Sequence, residues 1–111
     1  MPDRYAVVVR VATPGQPAFQ LRKGELGISV FDPDGVSPPL TEDEILAPFR
    51  AGSVVVYRTL EQITEAGLVL IETPGADALP DRLRVAHREI TAPPTASRAE
   101  LKSALKRLED V

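Results

Sequence analysis

The sequence predicts a single domain of the α+β class over residues 1–111. Short runs rich in β-branched residues, each the length of one strand, occur at residues 5–12, 27–31, 53–57 and 68–71. Between and after them stand three helix-capping signatures. The hydrophobic fraction of 43% is that of an ordinary globular chain. No internal repeat or composition shift indicates a second domain.

The strand runs differ in their expected surroundings. The runs at 5–12 and 68–71 are almost continuously apolar, which predicts strands that are buried on both faces or nearly so. In the run at 27–31, Ile28 and Val30 face one way while Ser29 and Phe31 face the other. Residues 19–21 are predicted to form a short strand or a turn, and residues 87–91 a short edge strand.

Three segments of the form Ser/Thr-x-x-Glu/Gln predict helix starts, at residues 41–44, 59–62 and 97–100. Pro48 ends the first helix and Gly67 caps the second. Residues 80–86 are predicted to form a helical turn. The last helix is the most amphipathic and is expected to pack on the sheet through one apolar face, formed by Leu101, Ala104, Leu105 and Leu108.

Composition excludes several kinds of site. The chain has no cysteine and one histidine, which excludes disulfides, thiolate chemistry and Cys- or His-rich metal centres, so no metal site is predicted. A net charge of −3 without a basic patch argues against nucleic-acid binding. The apolar runs are too short for a membrane span or a secretory signal, so a cytoplasmic protein is expected. Phosphate-binding loops, dinucleotide fingerprints and nucleophile elbows are absent from the sequence.

Three residues are candidates for a functional site, and each has a structural alternative. His87, the one histidine, is a candidate general base or ligand-orienting group, or else a half-exposed residue of a loop or edge strand. Ser29 follows two glycines and is a candidate hydroxyl donor to a ligand, or else a solvent-facing strand residue. Arg10 interrupts an apolar strand and is suited to phosphate, or else reaches water from the strand end.

Carboxylates are also candidates. Glu25, Glu72 and Glu89 lie beside strand segments, yet none has a partner at a fixed spacing, so ordinary solvated roles are the simpler interpretation.

Residues 27–108 resemble a known family. Gly27-Ile-Ser-Val-Phe-Asp32, followed by Gly35-Val36, is similar to an early Gly-x-Ser-Val-Phe strand of that family. Leu83-Arg-Val-Ala-His87-Arg-Glu-Ile90, then prolines and a terminal amphipathic helix, is similar to its late segment. The family is that of the small toxins with an ADP-ribosyltransferase-like fold that bacteria deliver by type VI secretion.

The resemblance implies a split, twisted β-sheet with short peripheral helices and a cleft for NAD. His87 and Ser29 would be the catalytic candidates, and Arg10 and Ser29 would contact the dinucleotide. Arg22 and Lys23 are further sources of positive charge, and Glu25 or Glu89 would supply a carboxylate. The function expected is that of an NAD-dependent ADP-ribosyltransferase-like bacterial toxin or a degenerate relative. It would be delivered to other cells by a dedicated secretion system. The alternative is a non-enzymatic interaction module whose partner is an immunity or secretion-system protein.

Overall fold

The β-branched runs of the sequence form five strands in the structure, a computed structural model that describes residues 6–111. Along the chain the elements are β1 (Val7–Ala12), β2 (Ile28–Phe31), a 3-10 turn (Pro33–Gly35), α1 (Glu42–Leu46), β3 (Val54–Thr59), α2 (Leu60–Glu65), β4 (Val69–Glu72), α3 (Asp81–Ala86), β5 (His87–Thr91) and α4 (Arg98–Glu109). The α+β class is therefore confirmed. Tyr5, the first residue of the predicted first strand, lies outside the described residues.

The strands form one antiparallel sheet in the order β3-β1-β2-β5-β4. Two strand predictions were wrong. The run at 68–71 was expected to be buried, but β4 is an edge strand, with Val69 and Ile71 exposed. Residues 87–91 were expected to form an edge strand, but β5 pairs with β2 on one side and β4 on the other. Both errors have one cause, because pairing partners far away in sequence decide which apolar strand is central.

The helix starts follow the predicted capping residues. Thr59 and Gln62 bond reciprocally at the start of α2, as Ser97 and Glu100 do at the start of α4. At α1 only half of the predicted capping box forms, because Thr41 accepts from the Glu44 amide without a reciprocal bond. Residues 19–21 form no strand; Phe19 ends a turn, and the side chains of Phe19 and Leu21 are buried in the core while Gln20 is exposed.

Apolar side chains pack on both sides of the sheet. The larger cluster, on what we call the α2/α4 face, joins α2 and α4 to strand residues such as Val8, Ile28, Val30 and Ile90. The smaller cluster, on the α1/α3 face, joins α1 and α3 to Val9 and Phe31. The α1/α3 face is only partly covered, because Ser29 and the outward side chains of β4 are exposed there.

The junction between β1 and β2 is the least paired in the sheet. Val9 and Phe31 are its single register pair among the described residues, whereas β1 and β3 share six pairs, from Val7–Thr59 to Ala12–Val54. The two strands therefore separate beyond Val9, which opens a gap in the middle of the sheet.

Gly27, just before β2, leaves no room for a side chain. A methyl group there would overlap the carboxylate of Glu89 and would lie 2.8 Å from the Ile90 carbonyl oxygen and 2.7 Å from the Glu89 Cγ. We expect Gly27→Ala to lower the free energy of unfolding by about 1–3 kcal/mol, the usual cost of overpacking, as measured by urea denaturation. Adding Glu89→Ala should restore part of the loss, because the Ile90 carbonyl alone then remains in the way. Equal stability of wild type and Gly27→Ala would contradict this close packing.

Candidate functional site

The registers of β2, β5 and β4 place chemically useful side chains in rows on the α1/α3 face. Phe31 is paired with His87. One row further along, Ser29 is paired with Glu89, and Glu89 is paired in turn with Ile71. Because successive residues of a strand alternate between faces, all five side chains start from the same face of the sheet.

A cavity of about 230 Å³ opens on this face. The three residues selected from the sequence all line it, although they come from three different strands. Its other walls are mainly apolar and include two aromatic rings. The lining residues are Arg10, Val11, Ser29, Phe31, Phe49, Ala76, Leu79 and His87. Phe31 contacts Phe49 edge-on, with ring centroids 6.1 Å apart. A mostly apolar cavity with a few convergent polar groups is the usual character of a small-molecule site.

His87 is buried and held in one orientation. Its Nδ1 lies 2.9 Å from the carbonyl oxygen of Thr73 and 3.0 Å from the Thr73 hydroxyl. A carbonyl can only accept, so we assign the proton of the neutral ring to Nδ1. Phe31 packs against the ring with centroids 5.8 Å apart. Nε2, which has no hydrogen-bond partner in the described part of the chain, is then the basic nitrogen of the site.

Ser29 is exposed and does not form a nucleophile–base pair with His87. The two residues are diagonal neighbours across β2 and β5, since Ser29 is paired with Glu89 and His87 with Phe31. Diagonal neighbours are separated by about 7–8 Å, too far for a hydrogen bond between short side chains. Ser29 and His87 are thus arranged to contact opposite sides of a ligand rather than each other.

Arg10 occupies the gap between β1 and β2. Its Nε donates to the Ala18 carbonyl at 2.9 Å, and its Nη1 donates to the Ser29 carbonyl at 2.9 Å. Desolvation by burial lowers the pKa of Arg10, while the nearby charge of Glu25 acts in the opposite direction. Arg10 therefore already has a structural role, and among the described residues its Nη2 is the nitrogen left for a ligand.

The structure distinguishes the candidate carboxylates. Glu25 caps a turn, because its Oε1 accepts from the Arg22 amide at 2.8 Å. Glu72 lies 3.7 Å from the Nη2 of Arg88 at the end of β4. Glu89 starts from the same face of the sheet, directly opposite Ser29, but its carboxylate packs over Gly27 and it does not line the cavity. Sequence reasoning could not choose between Glu25 and Glu89, because the choice depends on strand pairing.

A second cavity, of about 290 Å³, adjoins the first through His87. It is lined by Glu72, Thr73, Pro74, Arg84, Val85, His87 and Arg88. Arg84 and Arg88 were missed as site residues, although both belong to the Leu83–Ile90 segment that carries the family resemblance. The signal available in the sequence was a pair of arginines close to the strand start at His87, with Arg84 three residues before it and Arg88 one residue after it. Arg22 and Lys23, expected as charge donors, line neither cavity.

Within residues 6–111, no group of three or more His, Cys, Asp or Glu side chains is placed to hold a metal ion. None of the helices in that same range combines the length and apolarity needed to span a bilayer.

Comparison with known proteins gives no match to a family model, to a curated protein or to a solved structure.

Proposed function

We propose that the protein binds NAD and acts as an ADP-ribosyltransferase-like bacterial toxin. The observation that carries the proposal is the convergence of Arg10, Ser29 and His87 on one cavity. Each of these residues is a candidate on its own sequence context, the family resemblance implies one cleft for them, and they are far apart in the chain. We also propose that the sheet is a split sheet of the ADP-ribosyltransferase type. The single register pair between β1 and β2 supports this.

The cavity fits one end of the dinucleotide. Its volume of about 230 Å³ is below the roughly 300–1,000 Å³ of sites that enclose a whole drug-sized ligand. A flat ring would be held between apolar and aromatic walls. A carboxamide has one acceptor oxygen and one donor nitrogen, so the Ser29 hydroxyl would donate to the oxygen and His87 Nε2 would accept from the nitrogen. This pairing matches the nicotinamide end of NAD.

The proposed reaction breaks the bond between the nicotinamide nitrogen and C1′ of the ribose. The electron pair of that bond leaves with nicotinamide, and positive charge develops on the ribose. A nucleophile of the target then forms a bond to C1′ and loses its proton. Glu89, opposite Ser29 in the sheet, would stabilise the developing charge once its carboxylate turns from Gly27 toward the ribose, since an opposite charge near the reacting centre lowers the barrier.

Nicotinamide release tests the role of Glu89. We expect Glu89→Gln to lower the rate of release by about a hundredfold or more while NAD binding, measured by calorimetry, changes little. Ser29→Ala and His87→Gln should mainly weaken binding, because they remove contacts to the ring amide. Glu25→Gln is the matched control, since it removes the same charge from a turn residue rather than from the strand position opposite Ser29. An equal loss of rate in both glutamate variants would argue against Glu89.

A second candidate is a non-enzymatic interaction module. The observation that favours it is the edge strand β4, where Val69 is 39% exposed and Ile71 is 41% exposed. An edge strand offers unpaired backbone groups to a strand of another protein, and here it would be a strand of an immunity or secretion-system protein. If millimolar NAD gives neither heat of binding nor nicotinamide release, this second function becomes the better account.

A further inference from the structure

The second cavity contains an unusual polar group. The Nε of Arg84 is buried and has no hydrogen-bond partner among the described residues. Buried N–H groups are nearly always paired, so an orphaned one calls for a partner such as an ion or a ligand atom. A guanidinium has no acceptor, so the missing partner is an acceptor oxygen or nitrogen.

The cavity that Arg84 lines also has Arg88, two hydrogen-bonding residues (Thr73 and His87), one carboxylate and two apolar residues in its walls. Arg88 lines the same cavity and is only 13% exposed at its side chain. Its Nη1 donates to the carbonyl oxygens of Val85 and His87, both at 2.9 Å, which fixes the guanidinium in place. Its Nη2 lies 3.7 Å from Glu72 and 3.8 Å from Asp32, beyond hydrogen-bond distance, and is therefore available to a further acceptor.

Three of the four neighbouring carboxylates are exposed and are weak competitors for these arginines, while the fourth, Asp32, is 31% exposed and lies 3.8 Å from Arg88. Arg84 donates to Asp81 at 2.6 Å and lies 3.9 Å from Asp77. The side chains of Asp81 and Asp77 are fully or almost fully exposed, as is most of Glu72. Ion pairs of exposed side chains contribute little to stability, so an anion with more charge and more acceptor oxygens can displace them.

We propose that this second cavity, bounded by Arg84 and Arg88, is a binding site for a phosphate or pyrophosphate group. Arginine forks contact phosphate oxygens in pairs, and two guanidinium groups suit the several oxygens of a pyrophosphate. Because His87 lines both cavities, a ligand with its ring in the first cavity can reach this one with its phosphates. That link to NAD rests on the proposed function, whereas the phosphate site itself does not.

Gly75, in the loop between β4 and α3, packs closely against the residues that follow it. A methyl group on Gly75 would lie 3.0 Å from the Arg84 Cα and 3.3 Å from the His87 Cβ. The backbone at Gly75 therefore packs directly against both residues and helps to fix the start of β5 relative to α3.

Titration with inorganic pyrophosphate tests the site without NAD. We expect wild-type protein to bind it, and Arg84→Met to bind at least about tenfold more weakly, because a charge-assisted contact is lost. Arg82→Met is the matched control: it removes the same charge from the same helix, but Arg82 pairs with Glu44 and lines neither cavity. Circular dichroism and thermal unfolding check that both variants are folded.

A gain-of-binding variant separates a ligand role from a structural one. Asp77→Asn with Asp81→Asn removes the competing carboxylates and should tighten pyrophosphate binding about two- to fivefold. If Arg84 only served to fix α3 through Asp81, this variant would lose stability and gain no affinity. Absent binding to wild type, or equal binding by Arg84→Met and Arg82→Met, overturns the site.

ADP-ribose and nicotinamide distinguish this proposal from the proposed function. If ADP-ribose binds more strongly than pyrophosphate, and Arg84→Met weakens the binding of both equally, the phosphate site holds the pyrophosphate of a dinucleotide. Pyrophosphate binding without NAD binding or turnover leaves the phosphate site standing and removes the proposed function. If pyrophosphate does not bind and Arg84→Met leaves nicotinamide release unchanged, the proposed function stands and the phosphate site is removed.

Discussion

Replacing Leu105 with alanine should lower the free energy of unfolding by about 2–4 kcal/mol. Leu105 is on α4 and is 1% exposed, within the cluster that α4 and α2 form against the sheet. Truncation removes buried apolar surface and leaves a cavity that the surrounding side chains can fill only in part. Because the sheet fixes Ile28 and Ile90, both fully buried, the site has little freedom to collapse. Urea denaturation followed by circular dichroism measures the loss.

Lys102→Ala is the control for this variant. Lys102 is on the same helix but is exposed, so its removal should change the free energy of unfolding by no more than about 0.5 kcal/mol. A Leu105→Ala protein with the wild-type denaturation midpoint would mean that α4 does not pack on the sheet in solution.

The helices could be predicted from the sequence because their signals are local. The boxes at Thr59–Gln62 and Ser97–Glu100 each satisfy backbone groups within one turn, so no distant partner decides whether they form. At α1 the box was only half formed, yet Thr41 still begins the helix at the predicted place. Local hydrogen bonding thus determined where these helices begin.

Strand order could not be predicted, because it depends on pairs far apart in the chain. Ile71 is exposed because β4 has a neighbouring strand on one side only. The sequence of residues 68–71 contains no signal for this position at the edge of the sheet. The face shared by Ser29, His87 and Glu89 likewise depends on the register between β2 and β5. Ser29 and His87 could be named as candidates from the sequence, whereas the pairing of Glu89 with Ser29 is visible only in the structure. The orphaned Nε of Arg84 has no counterpart in any sequence pattern.

The role of Arg10 is the second case in which a large effect is expected. Arg10→Met should lower the free energy of unfolding by about 2–3 kcal/mol, because hydrogen bonds from a charged group each contribute roughly 1.5–3 kcal/mol. The bond to Ala18 is partly buried, and the bond to Ser29 is exposed and contributes less. Both bonds end on backbone carbonyls, of Ala18 and Ser29, at the place where β1 and β2 no longer pair. The guanidinium therefore joins two strands and a loop that have few other connections there. Methionine keeps much of the apolar stem and removes only the donors.

Two variants separate this structural role of Arg10 from phosphate binding. Arg50→Met removes the same charge at an exposed position and should leave stability nearly unchanged. Arg10→Lys retains the charge but not the fork, so it should recover only part of the lost stability, since an ammonium group cannot reproduce the geometry of two guanidinium bonds. Urea denaturation measures the free energy of unfolding of each variant, and titration with pyrophosphate measures its affinity for the ligand. Normal stability of Arg10→Met combined with weakened pyrophosphate binding would reverse the assignment and make Arg10, rather than Arg84, the phosphate contact. The opposite result is expected, because the two best-aligned nitrogens of Arg10 are already bonded to the backbone, whereas the buried nitrogen of Arg84 is not bonded to any described residue.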